Sequence, residues 1–141
     1  RKFMATIRMN WDEAMSFSSE IDGHKLVVDA APEVGGQDKG MRPKPLMLAA
    51  LAGCTGMDVV SILKKMKVEF NSFNIQVDAN MTDQHPKVYD NFHITYEVTG
   101  KDLSLAKIEK AVTLSQENYC GVSAMYKQFA KLTYEIKLIE E

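Results

Sequence analysis

The chain has 141 residues, of which 45% are apolar and 26% are charged, and its formal net charge at pH 7 is −2. This length and composition are typical of one globular domain with its own hydrophobic core. Since lysine and arginine form no dense cluster, the charge pattern argues against a nucleic-acid-binding protein.

The N-terminus and the cysteine count indicate a reducing compartment. The first residues include charged and polar side chains where a secretory signal peptide needs a continuous apolar run, so we expect a cytoplasmic protein. The two cysteines, Cys54 and Cys120, are too few for the disulfide framework of a small secreted domain. A redox role or an incidental role is therefore the expectation for both thiols.

The first part of the chain predicts three short strands in an antiparallel meander over residues 3–30. Apolar and polar residues alternate over residues 3–11 and again over 15–21, which is the period of a half-buried strand. An Asp-Gly turn signal then leads into a third strand. Residues 31–43 are rich in glycine and proline, and a loop of this length predicts either a functional flap or a disordered segment.

A helix over residues 44–68 is the predicted centre of the fold. Pro45 suits its first turn, where the missing N–H of proline costs nothing. The segment is apolar on nearly every side, which is typical of a helix buried all round. Its length, the acidic Asp58 in its middle and the lysines near its end argue against a membrane span.

Cys54 lies in the middle of this helix and is flanked by Gly53 and Gly56. Each glycine costs about 1 kcal/mol relative to alanine in a helix interior, so the pair predicts a compensating benefit. One interpretation is room beside the thiol for another backbone or for a substrate. The other is that these are merely small residues where two helices cross, around an inert buried cysteine.

The second half of the chain predicts strands and helices of an α+β domain rather than a doubly wound sheet. The predicted elements are strands over 72–81 and 88–99, helices over 103–119 and 121–130, and a last strand over 131–139, all within one domain over residues 1–141. The three histidines share no ligand-like spacing with the cysteines, so neither a metal site nor a resident cofactor is expected.

Local physics favours Cys120 as the more activated thiol. It lies between two predicted helices and close to the N-terminus of the second, where free N–H groups and the helix dipole favour a thiolate. Cys54 has no such support, and Asp58, one turn later on the same face, opposes its ionisation. Arg42 lies about twelve helical residues, roughly 18 Å along the axis, from Cys54. An arginine that serves Cys54 would thus come from the preceding loop folded back, from Arg8 or from a second subunit.

Three segments of the sequence resemble motifs of the OsmC/Ohr family of osmotically inducible and organic-hydroperoxide-resistance proteins. They are PLMLAALAGCTGMDVVSILKKM, HPKVYDNFHITYEVTG and KAVTLSQENYCGVSAMY, which follow one another in this order and include both cysteines. The resemblance covers essentially the whole chain and points to the branch usually called YhfA-like.

The resemblance implies an OsmC-like α+β fold with antiparallel sheets, a central buried helix that bears the cysteine, and an intertwined homodimer with active sites near the subunit interface. In the characterised members the first cysteine attacks a peroxide oxygen and becomes a sulfenic acid, and the second condenses with it to a disulfide. An external thiol, dithiol or lipoyl group then reduces the disulfide. Cys54 would thus be the peroxidatic thiol and Cys120 the resolving thiol, against the local prediction. The candidates for supporting roles are Asp58, Arg8, Arg42 and Glu117.

One position departs from the family pattern, and two alternative functions of the protein are therefore considered. The hydroperoxide reductases have a glutamate, paired with an arginine over the thiol, where this sequence has Pro45. The first function is thiol-dependent reduction of organic hydroperoxides in defence against oxidative stress. The second is a non-catalytic homodimer that binds a small apolar or electrophilic ligand at the subunit interface. Neither function involves nucleic acid or a membrane.

Overall fold

Two three-stranded sheets and three α-helices form the part of the chain that the structure, a computed structural model, describes, namely residues 4–141. The elements are β1 (Asn10–Glu13), β2 (Ser16–Ile21), β3 (His24–Val28), α1 (Pro45–Lys65), β4 (Ser72–Met81), β5 (Tyr89–Gly100), α2 (Leu105–Leu114), a π-helical turn (Ser115–Tyr119), α3 (Gly121–Tyr126) and β6 (Lys131–Glu140). They fall into two units, residues 1–47 and 48–141. The predicted α+β class is confirmed.

The N-terminal unit contains the predicted antiparallel meander, with β2 between β1 and β3. The predicted first strand began at Phe3, which lies outside the described residues, and the observed β1 begins only at Asn10. The alternation also failed to identify the buried side chains, since Ser16 and Ser19 of β2 are buried whereas Phe17 is 40% exposed. The pairing of β1 with β2 is also irregular between Trp11 and Glu13, where the strict two-residue period is interrupted.

The loop after β3 is folded tightly and is neither a flap nor a disordered segment. The buried carboxylate of Asp29 accepts hydrogen bonds from the backbone N–H groups of Ala30, Gln37 and Lys39. These bonds, that from Lys39 most strongly, lower the pKa of Asp29. At Gly36 a Cβ atom would lie 1.9 Å from the carbonyl oxygen of Ala30, so only glycine permits this approach. The loop forms no strand of either sheet, and the hydrogen bonds to this buried carboxylate fix its conformation instead.

The C-terminal unit holds the sheet β4-β5-β6, whose strands match the predicted ranges closely. β4 pairs with β5 in the antiparallel sense, but β6 runs parallel to β5, which differs from the expected antiparallel sheets. The two helices and the π-helical turn between β5 and β6 provide the crossover that a parallel pair requires. The predicted helix 103–119 is α-helical only to Leu114, and the next helix ends at Tyr126 rather than at residue 130.

α1 contributes one stripe of side chains to the core of the C-terminal unit. Its buried residues occur at every fourth position and are Leu51, Thr55, Val59 and Leu63. The other sides of the helix are partly or fully exposed in this chain, as at Met57, which is 76% exposed. Burial on every side, expected from composition, is therefore not achieved within one chain. The stripe packs in a core whose other fully buried members include Phe92, Ile94, Tyr96 and Val98 of β5 and Ile108 and Val112 of α2.

The length of α1 does not by itself argue against a membrane span, contrary to the prediction. The helix has 21 residues and reaches a mean hydropathy of 1.9, values that suffice for a span by length and composition. One such helix is weak support for a membrane protein, because the core helix of a globular domain has the same properties. Asp58 of this helix is hydrogen-bonded within the domain, which fits the globular alternative.

Candidate functional site

The fold of the C-terminal unit brings Cys54 and Cys120 together. Both are free thiols, and a hydrogen bond and charge interaction between their side chains are among the causes that raise the pKa of Cys120. Cys54, in the middle of α1, is partly exposed, whereas Cys120 is only 3% exposed. The site therefore contains one accessible thiol next to one covered thiol.

Cys120 forms the N-cap of α3, as its position between two helices predicted. Its Sγ accepts a hydrogen bond from the backbone N–H of Ser123 at 3.3 Å. Burial is the largest influence on this thiol and raises its pKa; the hydrogen bonds from Ser123 lower it, but they do not offset burial and the neighbouring Cys54. At Cys120, desolvation therefore outweighs the helix end on which the prediction of an activated thiol relied.

The two glycines beside Cys54 have different surroundings. A Cβ atom on Gly56 would lie 2.8 Å from Cδ1 of Ile75 in β4, so this glycine lets the helix approach the sheet. At Gly53 a Cβ atom would meet no heavy atom within 4 Å. Gly56 is thus explained by packing against a strand rather than against another helix. Gly53 faces open space.

A buried network of side chains connects the elements that carry the two cysteines. The hydroxyl of Thr55 lies 2.7 Å from that of Tyr96 and 2.7 Å from that of Ser115. Ser115 in turn donates to Oδ2 of Asp58 at 2.9 Å. Nε2 of Gln116 donates to the hydroxyls of Tyr96 and Thr55, at 2.8 and 3.3 Å. These five side chains are called the hydroxyl network below.

The hydroxyl network has a single direction of donation. Ser115 has one hydroxyl hydrogen and gives it to Asp58, so Thr55 must donate to Ser115, and Tyr96 must donate to Thr55. Burial raises the pKa of Tyr96 and so keeps this donor protonated at neutral pH. Each hydroxyl hydrogen of the network then has an acceptor. Oε1 of Gln116 is the exception in the network, because it is buried and meets no partner among residues 4–141.

The π-helical turn connects the hydroxyl network to Cys120 through backbone hydrogen bonds. The backbone N–H of Cys120 donates to the carbonyl of Ser115 at 2.7 Å, and Lys127 Nζ donates to the carbonyl of Gln116 at 3.0 Å. π-helical turns insert an extra residue and are frequent at functional sites. Sequence reasoning missed Ser115 and Gln116 because it extended one α-helix to residue 119. The available signal was a polar Thr55 within an apolar helix, directly after Cys54.

Asp58 and Glu117, the other predicted site residues of the C-terminal unit, have no described hydrogen bond to the thiols. Glu117 is exposed on the π-helical turn. Asp58 is committed to Ser115. Arg8 and Arg42 belong to the N-terminal unit. Within that unit, Arg42 donates to Oδ1 of Asp38 at 2.7 Å and to the carbonyl of Gly40, and Arg8 is exposed.

Two clefts lie along the exposed sides of α1. One, of about 600 Å³, is lined by Gly53, Gly56, Met57, Val60, Phe73 and Ile75, among others, and is mostly apolar. The other, of about 530 Å³, runs from Asp58 to Lys65 on α1 and has Lys110 and Tyr119 on its far wall. Neither cysteine lines these clefts, but Gly53 and Gly56 flank Cys54, and Tyr119 precedes Cys120. The apolar cleft therefore lies along the helix that carries Cys54.

The sheets, the long helix and the paired thiols define an α+β protein with a dithiol site. The family model described as OsmC-like protein matches residues 36–135, and the chain belongs to this family. The resemblance of its motifs to the OsmC/Ohr family is thereby confirmed.

Individual proteins and solved structures are similar to this chain. Protein YhfA of Escherichia coli strain K12 is 29% identical over 133 residues, which cover 94% of this chain and 96% of that protein. A solved structure of a hypothetical protein from Aquifex aeolicus VF5 has a TM-score of 0.81 and 29% identity over 97% of this chain and 98% of its own. The organic hydroperoxide resistance protein OhrB of Bacillus subtilis shares the fold, with a TM-score of 0.67 at 18% identity over 96% and 98% of the two chains.

Proposed function

We propose that this protein reduces organic hydroperoxides with Cys54 as the attacking thiol and Cys120 as the resolving thiol. The contact between a partly exposed and a buried free thiol is the observation that carries the proposal. Two free thiols whose side chains interact are candidates for a reversible disulfide. Membership of the OsmC-like family and the fold shared with an organic hydroperoxide resistance protein support the same chemistry.

The proposed cycle has three balanced steps. The Cys54 thiolate attacks a peroxide oxygen, an S–O bond forms as the O–O bond breaks, and the alcohol leaves after taking up a proton. The Cys120 sulfur then attacks the sulfenic acid on Cys54, so that an S–S bond forms and water leaves. An external thiol, dithiol or lipoyl group finally supplies two electrons and two protons and restores both thiols.

The environments of the two thiols favour this division of labour. Thiolate character and access decide which cysteine a peroxide oxidises. Cys120 is covered, and its raised pKa keeps it protonated at neutral pH, so it is poorly suited to the first attack. Once Cys54 is a sulfenic acid, the neighbouring Cys120 needs no access from solvent to react with it. The apolar cleft beside Gly53 and Gly56 favours alkyl hydroperoxides over hydrogen peroxide.

The proposal includes a homodimer that works in the cytoplasm. Members of the OsmC/Ohr family are generally dimeric. The apolar sides of α1 that one chain leaves exposed form a surface that a second copy would cover. The N-terminal unit also exposes apolar side chains, Trp11 at 64% and Met15 at 48%. Two free thiols in contact suit a reducing compartment.

Peroxide consumption with dithiothreitol as reductant tests the proposal. Cumene hydroperoxide and hydrogen peroxide are compared for the wild type, Cys54→Ser and Cys120→Ser. We expect turnover by the wild type with preference for cumene hydroperoxide, no turnover by Cys54→Ser, and a sulfenic acid that accumulates in Cys120→Ser when no reductant is added. A wild type no faster than free dithiothreitol, or an active Cys54→Ser, would contradict the proposal.

A second candidate function is binding of a small apolar ligand without catalysis. It is favoured by Pro45, which replaces the glutamate of the hydroperoxide reductases, and by Arg42, whose guanidinium is held by Asp38. A redox-inert analogue, 2-phenyl-2-propanol, separates the two functions. An analogue that raises the Tm of wild type and Cys54→Ser equally, without any peroxide turnover, would support binding alone.

A further inference from the structure

We infer that the hydrogen bond between Thr55 and Ser115 positions the Cys120 thiol against Cys54, so that both hydroxyl residues serve the disulfide-forming step. The inference rests on the proposed function, because it assigns a role within the same dithiol chemistry. Thr55 and Ser115 are positioning residues in this account, since neither hydroxyl reacts.

The two ends of this hydrogen bond are attached to the two cysteines. Thr55 follows Cys54 directly in α1. The carbonyl of Ser115 accepts the backbone N–H of Cys120 at 2.7 Å. The 2.7 Å contact between the two hydroxyls therefore joins the backbone that carries one thiol to the backbone that carries the other.

The contact is rigid because it is buried and fully satisfied. Thr55 and Ser115 are both 0% exposed, and each of their hydroxyls donates once and accepts from a neighbour. Moving either residue would leave a buried polar group without a partner, which costs the full desolvation of that group. Tyr96 at the start of the chain of donors is close enough to Cys120 that charge on this thiol raises the pKa of the phenol. The hydroxyl network therefore lies near the resolving thiol.

Disulfide formation is sensitive to such positioning. The bond requires a narrow range of Cβ–Cβ distances and of dihedral angles. Holding two reacting groups in place raises their effective concentration, so a looser Cys120 lowers both the rate of condensation with the Cys54 sulfenic acid and the stability of the disulfide formed.

Two substitutions of Thr55 separate hydrogen bonding from packing. Thr55→Val keeps the shape of the side chain and removes the hydroxyl, whereas Thr55→Ser keeps the hydroxyl and removes a methyl group. The purified proteins are equilibrated in glutathione buffers, in which one oxidised glutathione takes two electrons and two protons from the dithiol and yields two reduced glutathiones. We expect Thr55→Val to lower the equilibrium constant for the disulfide at least about tenfold, which is roughly 30 mV for a two-electron couple. Thr55→Ser should stay close to the wild type, and the reverse order would overturn the inference.

Ser115→Ala provides an independent test with a matched control. It removes the hydroxyl that links Thr55 to Asp58, and it should shift the equilibrium in the same direction as Thr55→Val. Ser104→Ala removes the N-cap of α2, where the hydroxyl accepts from the N–H of Lys107, and therefore destabilises the same part of the chain without touching the hydroxyl network. Its disulfide equilibrium should equal that of the wild type.

The outcomes distinguish this inference from the proposed function. If the wild type forms no disulfide between Cys54 and Cys120 in the most oxidising buffer, the proposed function fails and the inference with it. If the wild type forms the disulfide and Ser115→Ala leaves the constant unchanged, the inference alone fails. Should Thr55→Val not fold, Ser115→Ala alone decides, because it removes the other hydroxyl of the same hydrogen bond.

Discussion

The hydroxyl of Thr55 lies 2.7 Å from the hydroxyl of Ser115 in the interior of the C-terminal unit. One residue belongs to the helix of Cys54, and the other begins the π-helical turn that ends next to Cys120. This hydrogen bond and its neighbours provide the polar connection between the two halves of the dithiol site. Five predictions concern the thiols, the packing around them, the folded loop and the surface of α1.

The two thiols should differ strongly in their rate of alkylation. Cys54 is partly exposed, whereas Cys120 is 3% exposed and has a raised pKa, so at pH 7 N-ethylmaleimide should modify Cys54 at least roughly tenfold faster. Mass spectrometry of digested samples at successive times measures both rates. Under denaturing conditions the two rates should become similar, and faster modification of Cys120 in the native protein would contradict this assignment.

The stability of the reduced protein should fall in alkaline solution. The pKa of Cys120 is raised in the folded state, so its contribution is fully present below the pKa of the unfolded thiol, about 8.5, and is lost as pH rises from there through the folded value. Urea unfolding at a series of pH values measures this loss. Cys120→Ser should show a smaller decline over the same range, with Tyr96, whose pKa is also raised by burial, contributing to the remainder.

Alanine at the two glycines of α1 should differ in its effect on stability. Gly53→Ala places its Cβ in open space and should stabilise the helix by up to about 1 kcal/mol. Gly56→Ala gains the same helix propensity, but its Cβ meets Ile75, which must shift, so the variant should be less stable than Gly53→Ala. Thermal unfolding compares the pair directly. A loss of stability at Gly53→Ala would show that another surface closes on this position.

Asp29 should hold the loop over residues 31–43 in a pH-dependent manner. Its pKa is lowered in the folded state, so its contribution is present above the ordinary value of about 3.9 and is lost as pH falls through the folded value. Asp29→Asn retains one acceptor oxygen but loses the charge, and it should lower the Tm at pH 7 by several degrees. The difference from the wild type should shrink in acid. Limited proteolysis, with cleavage expected in the loop of the variant, locates the effect.

A charge on the exposed side of α1 should prevent dimer formation. Met57 is 76% exposed in one chain, and a second copy would cover it in the proposed homodimer. Light scattering after size exclusion should give the mass of two chains for the wild type and the mass of one chain for Met57→Glu. Val88→Glu, at an apolar position that is 48% exposed but outside α1, is the matched control and should remain dimeric. A monomeric wild type would contradict the homodimer.

The sequence alone determined the α+β class, the approximate range of most elements in the C-terminal unit and the two thiols. These features depend on neighbours in the chain: the alternation in β4 and β5, the apolar run around Cys54, and the order of the motifs that resemble the OsmC/Ohr family. Local signals failed where the pattern was interrupted, as in β1 and β2, or where α-helix changed to the π-helical turn without a change of composition.

Only the tertiary structure decided the chemistry around the thiols. The raised pKa of Cys120 results from burial, which its position at a helix end could not reveal. The partners of Thr55 come from β5 and from the π-helical turn, far away in the sequence. The direction of β6 follows from the path of the crossover rather than from its own residues. Burial and hydrogen bonding between distant segments are properties of the folded chain, so a pattern of neighbours along the sequence does not contain them.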